Sequence, residues 1–139
     1  IALEFDPAGL APCLDVVVLD DATGRPVQPD LIMVQSWTRW TFGETSGPFR
    51  IEDARWGKRF ERSYPHFGQN LSTHEVAPGQ YRLPYADVYS ETSVTKYGPP
   101  PYAITVEADG YTTAHSAVRF LTGKDQVVEP WVLRLKHAN

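Results

Sequence analysis

The sequence predicts an all-β protein, a Greek-key β-sandwich of about seven strands. The chain of 139 residues holds 12 prolines, 10 glycines, 7 tyrosines, 6 phenylalanines and 4 tryptophans, a composition typical of strands and turns rather than helices. Short runs in which apolar residues alternate with other residues recur along the chain, as in strands with one buried face. Turn-forming residues separate these runs. The length is that of a single domain, residues 1–139, with one core.

The early part of the chain contains two predicted strands. Leu14–Leu19 is short and strongly apolar, and the aspartate, glycine and proline residues of 20–26 predict a turn after it. Leu31–Phe42 is apolar on both faces at first and then alternates, so we expect it to begin in the core and to end near a surface. Cys13 is the sole cysteine, which excludes an internal disulfide. We expect it to be buried or half-buried at the start of the first strand.

A hairpin in the second half of the chain gives the clearest pattern. Tyr102–Ala108 alternates as a strand with one buried face, and the aspartate-glycine pair that follows favours a tight turn. A second strand, Tyr111–Leu121, is expected to pair back on the first. In this register Ile104 and Val106 lie in the core and Glu107 is exposed.

Two further strands complete the predicted sandwich. Residues 77–80 form a turn within Val76–Tyr89, and Pro84 predicts that the strand after this turn is an edge strand or a short one. Val127–Lys136 is the closing strand. Its apolar residues share one face and are expected to pack against the hairpin; they are Trp131, Leu133 and Leu135.

Residues 43–73 lack regular periodicity and predict a long insertion or elaborated loop between the early strands. Together with 36–42, this stretch holds six of the 13 lysines and arginines against four acidic residues, interleaved with aromatic residues. One interpretation is a binding surface, because aromatic and arginine side chains dominate recognition sites. The other is that the aromatic rings cover a sheet face while the arginines extend outward, in a loop or in a short helix over Glu52–Phe60.

Four segments in order, residues 20–27, 77–83, 102–111 and 132–135, resemble the carboxypeptidase regulatory-like domains, which are transthyretin-like (prealbumin-type) β-sandwiches. The resemblance is confined to the two ends of the chain. It implies a seven-stranded sandwich used outside the cytoplasm as an accessory, adhesive or structural module. The chain departs from the pattern between Phe42 and His74, where such domains have two short strands.

Other classes of function are disfavoured. Intradiol dioxygenases, which resemble this chain in their tyrosine-bearing strands, need a closely spaced histidine pair that His115 lacks, and the hydroxyisourate hydrolases end in a tyrosine-arginine-glycine-serine signature that is absent here. His66 and His74 have no partner at metal-ligand spacing. The net charge of −4 disfavours nucleic acid, and no apolar run is long enough to span a bilayer. We therefore expect no enzymatic activity, no cofactor and no metal site.

The predicted function is that of a non-catalytic module outside the cytoplasm (periplasmic, cell-surface or secreted). It would serve as a structural or protein-interaction unit of a larger protein or assembly. The alternative is a carbohydrate-binding module, in which aromatic rings between residues 37 and 70 stack on sugars and nearby polar groups bind hydroxyls. The candidate ligand-binding residues are Trp37, Arg39, Trp40, Arg55, Trp56, Tyr64 and Phe67.

Overall fold

The described residues form two mixed β-sheets, and the all-β prediction is confirmed. The computed structural model describes residues 3–4, 13–36, 56–62, 69–84, 101–120 and 129–138. Within these ranges the strands are β1 (Cys13–Asp20), β2 (Leu31–Ser36), β3 (Trp56–Glu61), β4 (Gln69–Asn70), β5 (Glu75–Ala77), β6 (Gln80–Pro84), β7 (Pro101–Glu107), β8 (Ala114–His115), β9 (Arg119–Phe120) and β10 (Trp131–Leu135). A 3₁₀ turn, Leu71–His74, follows β4. No helix in the described ranges could cross a membrane.

The first sheet has the strand order β10-β1-β6-β5. β1 pairs in parallel with β10 and antiparallel with β6, and its residues from Val16 onward are buried on both faces. Such burial explains its nearly continuous apolar sequence. Pro84 left open an edge strand or a short one. The edge strand is wrong, because β6 lies between β1 and β5, and its five described residues, Gln80–Pro84, pair with β1 as far as Cys13.

The second sheet has the order β4-β3-β2-β7-β8, with β9 also paired to β7. β2 is its centre and pairs antiparallel with both β3 and β7. The strand predicted over Leu31–Phe42 is confirmed as far as Ser36; residues 37–42 lie outside the described ranges. The outer flank of this sheet, β8, lies on the same side of the protein as β10 of the first sheet, because Tyr111 and His137 form an antiparallel bridge.

Side chains from both sheets meet in one core. Its main members are Leu14, Val16, Val18, Ile32, Val34, Phe60, Leu71, Tyr81, Leu83, Tyr102, Ile104, Val106, Trp131, Leu133 and Leu135. Ile104 and Val106 are completely buried and Glu107 is exposed, as predicted. The expectation of one buried face on β7 is wrong, however, because Ala103 and Thr105 on the other face are only 0% and 8% exposed.

The expectation of an irregular stretch over 43–73 is wrong for 56–61, which form β3, and for 69–70, which form β4. A helix over Glu52–Phe60 is also wrong for the residues described, 56–60. Pairing with β2 explains the strand, because it buries Phe60 opposite Ile32 in the core. Tertiary pairing of this kind outweighs any local preference for a helix. At Gly57, a β-carbon would lie 3.2 Å from Met33 Sδ. Close packing therefore favours glycine at this position, and glycine is a poor helix former.

The predicted hairpin forms, but its second strand is interrupted. The turn is closed by the N–H of Tyr111, which donates to Ala108 O at 3.1 Å, with Gly110 at a φ of 83°. Beyond it, the strand expected over Tyr111–Leu121 divides into β8 and β9. The interruption follows from Ser116, whose hydroxyl oxygen accepts the N–H of Ile104 at 2.8 Å where a regular ladder would supply a backbone carbonyl.

Candidate functional site

The residues predicted to bind a ligand lie almost wholly outside the part that the structure describes. This holds for Trp37, Arg39, Trp40, Arg55, Tyr64 and Phe67. Trp56 is the first residue of β3, opposite Ser36. The binding surface proposed for them therefore stays a prediction.

Two arginines of the same stretch are described, and each has an acidic partner. Arg59 Nη2 lies 3.1 Å from Glu61 Oε1. Arg62 forms an ion pair with Asp30, whose other carboxylate oxygen accepts the N–H of Asp109 at 2.7 Å. These pairs border an open cleft of about 590 Å³ that carries both acidic and basic side chains. Arg62 thus connects the end of β3 to residues 28–30, whereas Arg59 is paired within its own strand, and neither belongs to a uniformly basic surface.

A second depression, the basic groove, lies between the two sheets at their edges. One wall is the β8–β9 segment of the second sheet and the other is β10 of the first. Its volume is about 300 Å³, and it is lined by Ala114, His115, Ser116, Ala117, Arg119, Trp131, Val132, Leu133 and Arg134. No acidic side chain is among these described lining residues, although the whole chain has a net charge of −4.

Hydrogen bonds close the basic groove at both ends. At one end the two sheet edges are paired, since Thr112 N donates to Lys136 O at 2.8 Å and Ala138 N donates to Gly110 O at 3.0 Å. At the other end Arg119 Nη1 donates to Glu129 O at 2.8 Å. The groove is therefore a bounded opening between two strands.

Arg119 and Trp131 form one corner of the basic groove. The guanidinium carbon of Arg119 lies 4.4 Å from the centre of a Trp131 ring, within range of a cation–π interaction. Trp131 is 1% exposed, and its Nε1 has no hydrogen-bond partner among the described atoms. Among the described residues, Arg119 makes this ring contact and one hydrogen bond, and the other N–H groups of its guanidinium can donate to a ligand.

A row of polar side chains on the outer face of the second sheet leads to His115. The hydroxyl of Thr105 donates to Gln35 Oε1 and lies 2.9 Å from Nδ1 of His115. Because the Thr105 hydroxyl donates to Gln35, its oxygen is left to accept a hydrogen bond from Nδ1 of His115. This contact orients the exposed ring of His115, which lines the groove. Nε2 is the other polar atom of the ring.

A second arrangement of polar groups, the Asp20 cluster, consists of Asp20, Tyr111 and His137. Asp20 is 5% exposed, and its carboxylate accepts from the Tyr111 hydroxyl at 2.8 Å and from the N–H groups of Ala22 and Thr23. His137 Nε2 lies 2.7 Å from the same carboxylate, and the Tyr111 and His137 rings stack with centroids 4.6 Å apart.

The electrostatics of the Asp20 cluster follow from these contacts. The hydrogen bond from Tyr111 lowers the pKa of Asp20 to about 2, helped by the two backbone donors and by His137. The same hydrogen bond raises the pKa of Tyr111. The cluster caps the 20–26 turn, as expected for aspartates in a turn, and fixes the end of the groove at which the sheet edges are paired.

Other ionisable groups in the described ranges have structural surroundings. Burial raises the pKa of Tyr81, and its hydroxyl donates to Glu75 Oε2 at 2.7 Å. Asp15 on β1 and Arg82 on β6 form a bidentate ion pair, in which Arg82 Nε donates to Oδ1 at 2.8 Å and Nη2 donates to Oδ2 at 3.0 Å. Cys13 is half-buried at the start of β1, as predicted, and burial raises the pKa of its thiol. Within the described ranges no three histidine, cysteine or acidic side chains are grouped to hold a metal ion.

Sequence reasoning missed the basic groove, although part of its signal was present. The alternation of the second hairpin strand places His115 and Arg119 away from the core, and Arg134 alternates with the buried residues of the closing strand. What the pattern could not show is that these two strands are the edges of different sheets. Comparison of the chain with protein-family models, with curated proteins and with solved structures finds no match.

Proposed function

We propose that this protein is a non-catalytic β-sandwich module that binds another protein through a strand edge, as a unit of a larger protein or assembly outside the cytoplasm. The observation that carries the proposal is the outer edge of β10, with which no described strand pairs. Sheet edges offer unpaired backbone N–H and C=O groups, which proteins either protect or use for docking.

The lengths of the edge strands favour β10 as the edge that is used. Among the described strands, β4 and β8 have two residues each and β5 has three, whereas β10 has five. A two-residue edge offers little for a partner strand to pair with. β10 also carries Val132, whose side chain is 52% exposed, so a partner strand on this edge would gain an apolar contact as well as backbone hydrogen bonds.

A Greek-key connection, a transthyretin-like topology and a location outside the cytoplasm belong to the same proposal. Their support is the order of the four sequence segments 20–27, 77–83, 102–111 and 132–135. Fusing the protein to a reporter enzyme that is active only outside the cytoplasm, in the native host, would test the location. Absence of reporter activity, together with activity of a second fused reporter that works only in the cytoplasm, would count against it.

The test of protein binding is a selection from a random peptide display library against the immobilised full chain. We expect peptides that compete with one another for one site and bind the chain in solution. A parallel panel of soluble polysaccharides, read by tryptophan fluorescence, tests the carbohydrate-binding alternative. Failure to enrich any peptide, together with a saturable fluorescence change on one polysaccharide, would replace the proposed function by that alternative.

A further inference from the structure

We propose that the basic groove receives an extended acidic segment of another protein, which adds to β10 as one more strand of the first sheet. This inference rests on the proposed function and specifies its site and the chemistry of its partner. Three properties of the groove support it: the direction of the β10 backbone groups, the exposed side chains beside them, and the charge of the walls.

Hydrogen bonds at the C-terminal end of β10 show which of its backbone groups point into the groove. Leu135 O accepts from Asp21 N at 2.9 Å, on the side of β1, whereas Lys136 O accepts from Thr112 N, on the opposite side. Backbone groups alternate in direction along a strand. Trp131, Leu133 and Leu135 therefore direct their N–H and C=O groups toward β1, and Val132 and Arg134 direct theirs into the groove.

The free groups of Val132 and Arg134 match what an added strand needs. No described residue bonds to the backbone of either in the groove, and the two residues are adjacent donors and acceptors on one side of the strand. At roughly 3.3 Å per residue, the part of β10 that lines the groove is about 13 Å long. Because hydrogen bonds bound the groove at both ends, only about four residues of an extended segment can lie along it, and the segment must enter and leave from the solvent side. Those residues can form a short ladder, and backbone hydrogen bonds of this kind are the usual source of affinity in β-strand addition.

Side chains beside the ladder specify the partner sequence. Val132 and Arg134 both point away from the core, two residues apart on one face of β10. Residues directly opposite each other on paired strands are in contact. The partner segment should therefore place an apolar residue opposite Val132 and an acidic residue opposite Arg134, two positions apart.

The charge of the groove walls selects an acidic segment over a basic one. Arg119 and Arg134 line it, and the described lining has no acidic side chain. The planar guanidinium of Arg119, held over Trp131, suits paired hydrogen bonds to a carboxylate. Since exposed ion pairs contribute modestly, these charges act chiefly on specificity and on the association rate.

The opposing interpretation is that Arg134 and Lys136 only protect the edge, because charged side chains are a common means of preventing strand pairing. The two interpretations differ in outcome. A protective edge repels every strand, whereas the proposed site binds an acidic strand and rejects a basic one.

The experiment uses the full chain labelled with ¹⁵N and two short synthetic peptides. In both, every second residue is threonine; the positions between alternate valine with glutamate in one peptide and valine with lysine in the other. We expect the glutamate peptide alone to bind, and the amide protons of Val132 and Arg134 to exchange about tenfold more slowly in the complex. Slow exchange of these two amides already in the free chain would mean that the edge is occupied, and it would overturn the proposal.

Variants separate the backbone contribution from that of charge. Val132→Pro removes an N–H that points into the groove and not toward β1, and sheets tolerate proline at such a position. This variant should bind the glutamate peptide about tenfold more weakly. Val132→Thr keeps the N–H, and its affinity for the peptide should stay within about twofold of the original. Arg134→Glu should weaken the glutamate peptide about tenfold and make the lysine peptide bind. Arg25→Glu, an exposed change of equal net charge in the 20–26 turn, is the matched control and should alter neither affinity.

The outcomes distinguish this inference from the proposed function. If library peptides bind but the amides of Val132 and Arg134 are unaffected by them, the site is elsewhere; the inference fails while the proposed function stands. If the lysine peptide binds the unmodified chain as well as the glutamate peptide does, the chemistry assigned to the partner is wrong. If no peptide of either kind or from the library binds, both proposals fail. A thermal melt of each variant verifies that it is folded.

Discussion

The two sheet edges are paired at the Asp20 cluster and separated at the basic groove, although the same segments of chain form both regions. At the cluster, the buried carboxylate of Asp20 accepts hydrogen bonds from the Tyr111 hydroxyl and two backbone N–H groups, and it lies next to His137 Nε2. At the groove, the hydroxyl of Ser116 accepts the N–H of Ile104, and no described strand pairs with the outer edge of β10. The edges thus join where a residue from each, Tyr111 and His137, contacts the same buried carboxylate.

The largest expected effect is that of a core substitution beneath both regions. Ile104→Ala should lower the free energy of unfolding by about 2–5 kcal/mol, because the side chain is completely buried and its removal leaves a cavity. Denaturant titration measures this. Glu107→Ala, at an exposed position of the same strand, is the control and should change stability by no more than about 0.5 kcal/mol. Equal effects of the two changes would contradict the register of β7.

A substitution of Asp20 tests the paired region. The pKa of Asp20 is lowered from its ordinary 3.8 to about 2 in the folded chain, so the ionised carboxylate stabilises the fold fully above pH 3.8 and this contribution is lost as the pH falls through about 2. Asp20→Asn should therefore be less stable than the original chain at neutral pH and lose less stability on acidification. Urea unfolding at several pH values measures both differences.

Asp21→Asn is the matched control for this experiment, since Asp21 is the exposed neighbour of Asp20. It should leave the acid dependence of unfolding nearly unchanged. If the original chain and Asp20→Asn lost stability in parallel between pH 4 and 2, the ionised carboxylate would not hold the two sheet edges together.

A smaller loss is expected at the interruption between β8 and β9. Ser116→Ala removes the acceptor of the buried Ile104 N–H and should cost about 1–3 kcal/mol, the usual penalty of a buried unsatisfied donor. Ser116→Thr keeps the hydroxyl and serves as the control. A stability of Ser116→Ala equal to that of the original chain would mean that the strand had become continuous, and hydrogen exchange of the Ile104 amide would detect its new partner.

The smallest effect on stability is expected at the groove itself. Val132→Thr should change the free energy of unfolding by no more than about 0.5 kcal/mol, because the side chain is 52% exposed and its backbone groups face away from β1. Thermal or denaturant unfolding measures this. A large loss would mean that Val132 is part of the packing, and the contrast between a structural Asp20 cluster and an open groove would fail.

The sequence predicted what depends on local pattern. Period-2 alternation placed Ile104, Val106 and the apolar face of β10 correctly, because a strand with one side in the core has few other ways to distribute its residues. Burial of Ala103 and Thr105 could not be read from alternation, since small and hydroxyl side chains are compatible with either environment. β3 was missed because its only strongly apolar described residue in the core is Phe60, and pairing with β2 decides its conformation.

The basic groove was beyond sequence reasoning for a different reason. It depends on two strands from different sheets lying side by side, and a single sequence carries no record of such tertiary proximity. His115, Arg119 and Arg134 each read as ordinary outward-facing residues. Trp131 was predicted to be in the core, and it is, but its role as the surface under Arg119 depends on the geometry of that contact.

The parallel pairing of β1 with β10 has a consequence for the order of folding. Val16 and Trp131 are paired although more than a hundred residues of chain separate them, and closing so long a loop is entropically costly and slow. The hairpin turn after β7 and the β5–β6 pair join near neighbours and can form early. β10 is therefore expected to be the last strand to join the first sheet, so one wall of the basic groove would be missing from any intermediate that precedes this step, and the ability to bind a peptide would appear only in the final phase of refolding.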